Sequence, residues 1–313
     1  MRNVIKKESR ALAESSMIVP ASRLYSGVLF IVLAGICFGS LGIFGKLFIS
    51  SGLDVGPILA IRFLFAAFLL GLYFLFQKII YNRNFFKVPK QQFFVCILLG
   101  VLGYAVFSSL YFVSFKYLSV GISAMLLFTF PLFVFLGSVF FLKHPFDKRV
   151  VAALFIALFG LVLLLKDEFE IKNAIGVYAA LGAAICYSGY VILSDRYQKN
   201  IHPLTSSFYV MLSAGLSLML IYQPTWVQFF GVDFSNLKLF SGLSIIGTIA
   251  PLSLFLAGLQ RIPGPQASIL VMVEPITASL LAFLIFSETM TVWQLTGIAL
   301  VVIADVLIVR IQV

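Results

Sequence analysis

The sequence predicts an all-α integral membrane protein: ten transmembrane helices laid out as two inverted-topology repeats of five. Three observations predict it. Hydrophobic residues make up 61% of the 313 residues and charged residues only 11%, whereas a soluble domain carries about a quarter charged residues. The apolar residues fall in uninterrupted runs, each long enough to cross a bilayer as a helix, and not in the alternating segments of a membrane β-barrel. Two of those runs, SAMLLFTFPLFVFLGSVFFL (123–142) and ASILVMVEPITASLLAFLIF (267–286), lie 144 positions apart and carry a proline at the same internal place, Pro131 and Pro275.

Proline inside a helix removes one N–H and clashes with the carbonyl four residues back, here that of Leu127 and of Val271. In hydrocarbon a freed carbonyl is costly unless protein, water or a ligand satisfies it. One reading is a simple kink, common in membrane helices. The other is a pair of interrupted spans at corresponding places in two halves, the pattern that marks a transporter's central site.

Taken in order, residues 1–24 form a polar, basic tail expected on the cytoplasmic side. They lack the apolar core and small-residue cleavage site of a signal peptide, so the first span is expected to be retained. Apolar runs and polar breaks then give spans at roughly 25–48, 57–77, 92–113, 119–142, 149–166, 175–195, 204–222, 239–259, 265–286 and 291–309. The longest break, about 223–238, holds Trp226, which suits an interfacial anchor. With the N-terminus inside, sixteen lysines and arginines fall on the inner side. Five fall outside (Lys46, Lys116, Lys166, Lys172 and Lys238), and Arg62 lies within the second span. That asymmetry places both termini in the cytoplasm of a cell-membrane protein.

A second repeat signal runs at an offset of 149: Gly27, Val28, Ala34, Ile36 and Cys37 recur as Gly176, Val177, Ala183, Ile185 and Cys186. The repeats are expected over 25–166 and 175–310. Five spans per half is an odd number, so the halves run in opposite senses, an architecture associated with alternating access at the repeat interface.

The net charge of +10 does not indicate nucleic-acid binding, because the basic residues sit in short segments between apolar runs. Cys37, Cys96 and Cys186 lie within apolar runs, without CxxC or metal spacing. No HExxH, GxSxG or GxxxxGK[ST] occurs. Neither an enzyme nor an ATP-driven pump is expected, and no catalytic residue, metal or cofactor is assigned.

Several segments together resemble the drug/metabolite transporter superfamily, in particular its EamA-type ten-span exporters. ICFGSLGIFGK (36–46) resembles the small-aromatic-Gly-Ser segment that ends in a lysine, Lys46. Arg62 stands where the second span of the family carries arginine. LYFVSFKYLSVGISAMLLFTFPLFVFL (110–136) is similar to the passage from third to fourth span. VEPITASLLAFLIFSE (273–288) is similar to the ninth-span signature, with Glu274-Pro275 and Glu288 in the family places. The first-half position matching Glu288 is His144, a departure from the family pattern. The resemblance covers nearly the whole chain from Gly27 onward. It implies a secondary exporter, with amino acids the favoured cargo. A flippase for lipids or lipid-linked sugars, also represented in the superfamily, is the alternative.

Glu274 is the foremost candidate site residue. A mid-helix carboxylate costs about 2.5–3.5 kcal/mol to insert, so it should face a cavity or a partner. It would couple protons or hold a substrate ammonium, or else cap broken-helix amides or pair with an arginine. Gln266, Leu270, Glu274 and Thr277 share one stripe at helical spacing. Lys46 is either a snorkelling lysine or part of an external gate. Arg62, about a turn and a half into its span, meets a substrate carboxylate or makes a structural hydrogen bond. Tyr104, Ser108 and Tyr111 share a face of span three, and Tyr187 and Tyr190 a face of span six. These faces either line a cavity for amphipathic metabolites or pack between helices. Gly35, Gly39, Gly42 and Gly45 read first as close helix packing, and Asp305 as a structural or snorkelling charge. The expected partners are a small-molecule substrate and the bilayer, with no nucleic acid and a monomer as the working form.

Overall fold

In a computed structural model the described residues are 21–41, 43–44, 55–166, 173–223, 234–287 and 289–312, and among them regular structure is helical throughout. The helices are α1 (Ala21–Gly39), α2 (Val55–Tyr81), α3 (Lys90–Phe115), α4 (Val120–Leu142), α5 (Lys148–Leu164), α6 (Ala174–Tyr197) and α7 (Pro203–Tyr222). They continue with α8 (Phe234–Ser244, Ile245–Ile249 and Ala250–Leu259 in succession), α9 (Gly264–Phe286) and α10 (Val292–Gln312). Nine helices among the described residues are long and apolar enough to cross a membrane. The other, α5, has 17 residues, at the lower end of the length that spans a hydrocarbon core. Lys46, Trp226 and Glu288 lie outside the described residues.

Local chemistry sets several boundaries. Asp147 starts α5 by accepting from the Arg149 N–H at 2.8 Å, and Asn173 starts α6 by accepting from the Ile175 N–H at 2.9 Å. Proline stands in the first turn of α7 and of α9, where its missing N–H costs nothing.

Both proline-bearing spans are broken. α4 runs as Val120–Leu127 and then Phe130–Leu142, and α9 as Gly264–Leu270 and then Val273–Phe286. Pro131 and Pro275 are buried in the second segments, so both breaks turn into the bundle. The Val271 carbonyl, denied its usual partner by Pro275, accepts from the Glu274 N–H at 3.0 Å. The break also divides the expected polar stripe, leaving Gln266 and Leu270 on one segment and Glu274 and Thr277 on the other.

The helix packing repeats itself. α1 packs on the last segment of α8 and the second segment of α9. Correspondingly, α6 packs on the last part of α3 and on α4. α2 packs against α7, and α5 against α10. π-helical turns occur in α3 (Leu99–Val106) and α8 (Ile245–Ile249). The four described non-glycine residues with positive φ end corresponding helices: Asn82 and Gln223 follow α2 and α7, and Lys143 and Ser287 follow α4 and α9. A Cβ on Gly27 would meet Arg261 and Ile262, and one on Gly176 would meet Tyr117 and Leu118. On the outside, Phe140, Phe141, Phe155, Leu220 and Leu284 project from the bundle, an apolar belt that only a bilayer accommodates around so many helices.

Candidate functional site

Four helices bring polar groups together beside the α9 break. Glu274 is the second residue of the second α9 segment, where a carboxylate is favoured by the helix dipole. Arg62 of α2, Tyr104 and Tyr111 of α3 and Tyr187 of α6 lie within electrostatic reach of its carboxyl group. Among the described residues Glu274 forms no ion pair within 4.0 Å. Arg62 is equally uncommitted. Its guanidinium lies 4.8 Å from the Phe63 ring centroid, and its Nε is buried without a hydrogen-bond partner.

Aromatic rings form the wall beside this pair. Tyr104 sits edge-on to Tyr190 at 4.9 Å and to Phe63 at 5.7 Å, and Tyr187 stacks on Tyr190 at 5.8 Å. Phe107 lies 5.0 Å from Tyr187, and Phe130, the first residue after the α4 break, 4.7 Å from it. The Ser108 hydroxyl donates to the Tyr104 carbonyl within its own helix, which satisfies it locally. The Tyr190 hydroxyl is buried beside that of Ser194, one turn on in α6, without a well-formed hydrogen bond. A buried polar group left unpaired is expensive, and the Arg62 Nε bears that cost among the described residues.

The structure thus gathers Glu274, Arg62, Tyr104, Ser108, Tyr111, Tyr187 and Tyr190. Gln266, on the first α9 segment, makes no described contact with this group, and its Oε1 is buried unpaired. Lys46 falls outside the described residues. Phe63, Phe107 and Phe130 are wall residues that sequence reasoning passed over, because nothing separates three rings from 34 phenylalanines. α1 approaches the α9 break through its glycines. A Cβ on Gly39 would lie 2.7 Å from the Glu274 carbonyl oxygen, and one on Gly35 would lie 3.0 Å from that of Val271, so packing explains both.

Away from this group, the helix ends that carry most of the basic residues are tied together. Asp195, only 1% exposed, accepts from the Gly264 N–H at 3.0 Å and pairs with Lys199 at 2.9 Å. Gln260 Nε2 donates to the carbonyls of Gln198 (3.0 Å) and Ile201 (2.6 Å). Thr205 and Tyr209 of α7 donate to the carbonyls of Phe85 and Phe86, both at 2.8 Å. Gln198 Nε2 and the Ser206 hydroxyl flank the buried Cys96 thiol at 3.6 and 3.7 Å. These bonds tie the α2–α3, α6–α7 and α8–α9 junctions together at this end.

A polytopic helical bundle with two broken spans and an internal charged pair is the architecture of a membrane transporter. The chain belongs to the EamA-like transporter family, whose pattern matches residues 25–166 and 174–310. A transporter of uncharacterized function from Archaeoglobus fulgidus is 31% identical over 66% of this chain and 75% of its own length. The uncharacterized transporter YcbK of Bacillus subtilis is 26% identical, covering 87% of this chain and 89% of its own. The threonine/homoserine exporter RhtA of Escherichia coli K12 is 27% identical over 70% of this chain and 72% of its own. A protein of known crystal structure shares the fold at a TM-score of 0.76 and 17% identity, over 92% of this chain and 99% of that one.

Proposed function

We propose that this chain is a secondary active transporter exporting small amphipathic metabolites, amino acids or related compounds, across the cell membrane by alternating access. In this reading α5 is a tenth span, residues 25–166 and 175–310 are inverted five-helix repeats, and both termini are cytoplasmic. The paired breaks, paired π turns and corresponding helix contacts support the repeat. The basic residues support the orientation.

The observation that carries the function is the arrangement of Arg62 and Glu274. Opposite charges inside a membrane bundle are expected to close on one another, yet this pair forms no ion pair and Arg62 Nε has no partner. A zwitterion completes both ends: its ammonium goes to Glu274, its carboxylate to the Arg62 fork, and its apolar part to Tyr104, Phe107 and Tyr187. The α4 and α9 breaks let the two halves rearrange around it. RhtA, named for threonine and homoserine, favours the amino-acid class. No ATP enters this scheme; the driving force is the substrate gradient or protons.

Counterflow of labelled metabolites into proteoliposomes tests the proposal. Accumulation is expected for at least one free amino acid, and it should disappear for the matching amine without carboxylate and the matching acid without ammonium. Equal counterflow of all three would remove the two-ended recognition. Selective movement of a labelled lipid instead would make the chain a flippase.

A further inference from the structure

A cavity of about 420 Å³ opens at the basic end of the bundle, lined by Ser22, Arg23 and Ser26 of α1, Lys199 between α6 and α7, and Gln260 and Arg261 between α8 and α9. Three cations converge there from three separate stretches of chain. Among the described residues the charged group facing them from behind is Asp195, paired with Lys199 at 2.9 Å, so among those residues the lining holds more positive charge than its neighbours balance. Arg23 donates from Nη2 to the Gln260 carbonyl at 3.3 Å, and Arg261 donates from Nη1 to the Ala257 carbonyl. The Arg261 guanidinium also stacks 4.6 Å from the Phe30 ring centroid, which fixes its plane. A guanidinium carries five N–H donors, so both arginines keep most of theirs for a ligand. Planar forks plus an ammonium suit the oxygens of a phosphate. The cavity volume is that of a ligand pocket, with room beyond one phosphate group.

Its place in the fold adds a second argument. The cavity lies at the helix ends, the depth of lipid headgroups, on the side with the basic excess. Basic pockets between helices at that level hold anionic headgroups. Gln260 and Lys199, which line it, belong to the ties at this end of the bundle. We infer that this cavity binds a phosphate-bearing anion, either the headgroup of an anionic lipid or free phosphate, and that the bound anion straps α1 to the α6–α7 and α8–α9 junctions and holds this end shut. The inference is independent of the cargo proposed above.

The test uses the full chain purified in detergent. Thermal stability is followed during titration with phosphatidylglycerol, with phosphatidylcholine, and with inorganic phosphate against chloride at equal ionic strength. Phosphatidylglycerol, phosphate or both should raise the melting temperature while phosphatidylcholine and chloride do not. Response to phosphatidylglycerol alone identifies a lipid, and response to phosphate a soluble anion. The double substitution Arg23→Gln/Arg261→Gln should weaken the binding by roughly 30-fold, about fivefold per arginine. Lys148→Gln/Arg149→Gln, two exposed cations at the same end outside the cavity, should leave it unchanged. Should the double variant not fold, Arg261→Gln alone, with its expected fivefold loss, carries the comparison. No stabilisation by either anion, or equal loss in both double variants, overturns the inference.

Discussion

Gly297→Ala puts a single methyl group where two helices cross on bare backbone. In α10 the added Cβ would lie 2.5 Å from the Gly160 carbonyl oxygen, 2.7 Å from the Leu164 nitrogen and 3.0 Å from the Leu164 Cα, all backbone atoms of α5. Ordinary contact begins at 3.4 Å, so α10 has to withdraw by about 0.9 Å along a seam it shares with most of α5. No flexible side chain stands between them to absorb the shift. Overpacking of this kind costs about 1–3 kcal/mol, against a gain of up to about 1 kcal/mol from replacing glycine inside a helix. The net expectation is destabilisation by about 1–2 kcal/mol. Gly189→Ala in α6 separates the two effects, because a Cβ there meets nothing within 4 Å and only the helix gain remains. Melting temperatures of the detergent-purified proteins should therefore rank Gly189→Ala at or above the parent and Gly297→Ala below it. If Gly297→Ala melts at or above the parent, the α5–α10 seam is not the close backbone contact described, and the placement of α5 within the bundle fails with it.

Other substitutions address the site and its closure. Glu274→Gln removes the charge facing Arg62 and should change the pH dependence of transport in proteoliposomes while the protein still folds; the same rate at every pH would take Glu274 out of the mechanism. Tyr187→Ala deletes a ring that contacts Tyr104, Phe107, Phe130 and Tyr190 and should lower stability by about 3–5 kcal/mol, whereas Tyr187→Phe should keep most of it; equal melting temperatures would show that the wall is not packed. Gln260→Ala cuts two hydrogen bonds at the tied end, each worth about 1 kcal/mol. In a Cys37→Ser/Cys186→Ser background, maleimide labelling of the buried Cys96 should then rise by roughly 5–30-fold, and unchanged labelling would mean the tie does not hold the end shut. Lys166→Gln breaks the stacking of Lys166 on Trp293 at 3.8 Å and should cost only about 0.5–1 kcal/mol, since Trp293 is half exposed; a larger loss in melting temperature would contradict that estimate.

Much of this architecture could be read from the chain, because a membrane forces long apolar runs and a proline forces an interruption. The interruptions do not fall quite where the prolines align. Pro131 is the second residue of its segment and Pro275 the third, so the two breaks are 143 residues apart and the prolines 144. Glu274 stands directly ahead of its proline, where the first half has Phe130. Lys143, Gln223 and Ser287 take left-handed caps that glycine or asparagine usually fills, which left those helix ends unmarked in the sequence. Arg62 and Glu274 were legible singly, as charges too deep for lipid. Their meeting was not, since it depends on how α2, α3, α6 and α9 pack. For the phenylalanine wall no pattern was available, because rings that line a site and rings that face lipid have the same hydropathy.

The π turns carry a consequence for how α3 and α8 tolerate insertion and loss. A single wide turn adds one residue, about 100° of rotation, between the two ends of a helix. Along α3, Lys90–Leu98 packs on α7, Leu99–Val106 lies against both α7 and α6, and Phe107–Phe115 packs on α6. Removing one residue from Leu99–Val106 would relax the turn to ordinary α geometry, with every span still intact by hydropathy. The far end would nonetheless swing Phe107 away from Tyr187, leaving a well-inserted protein whose aromatic wall points at the wrong neighbour.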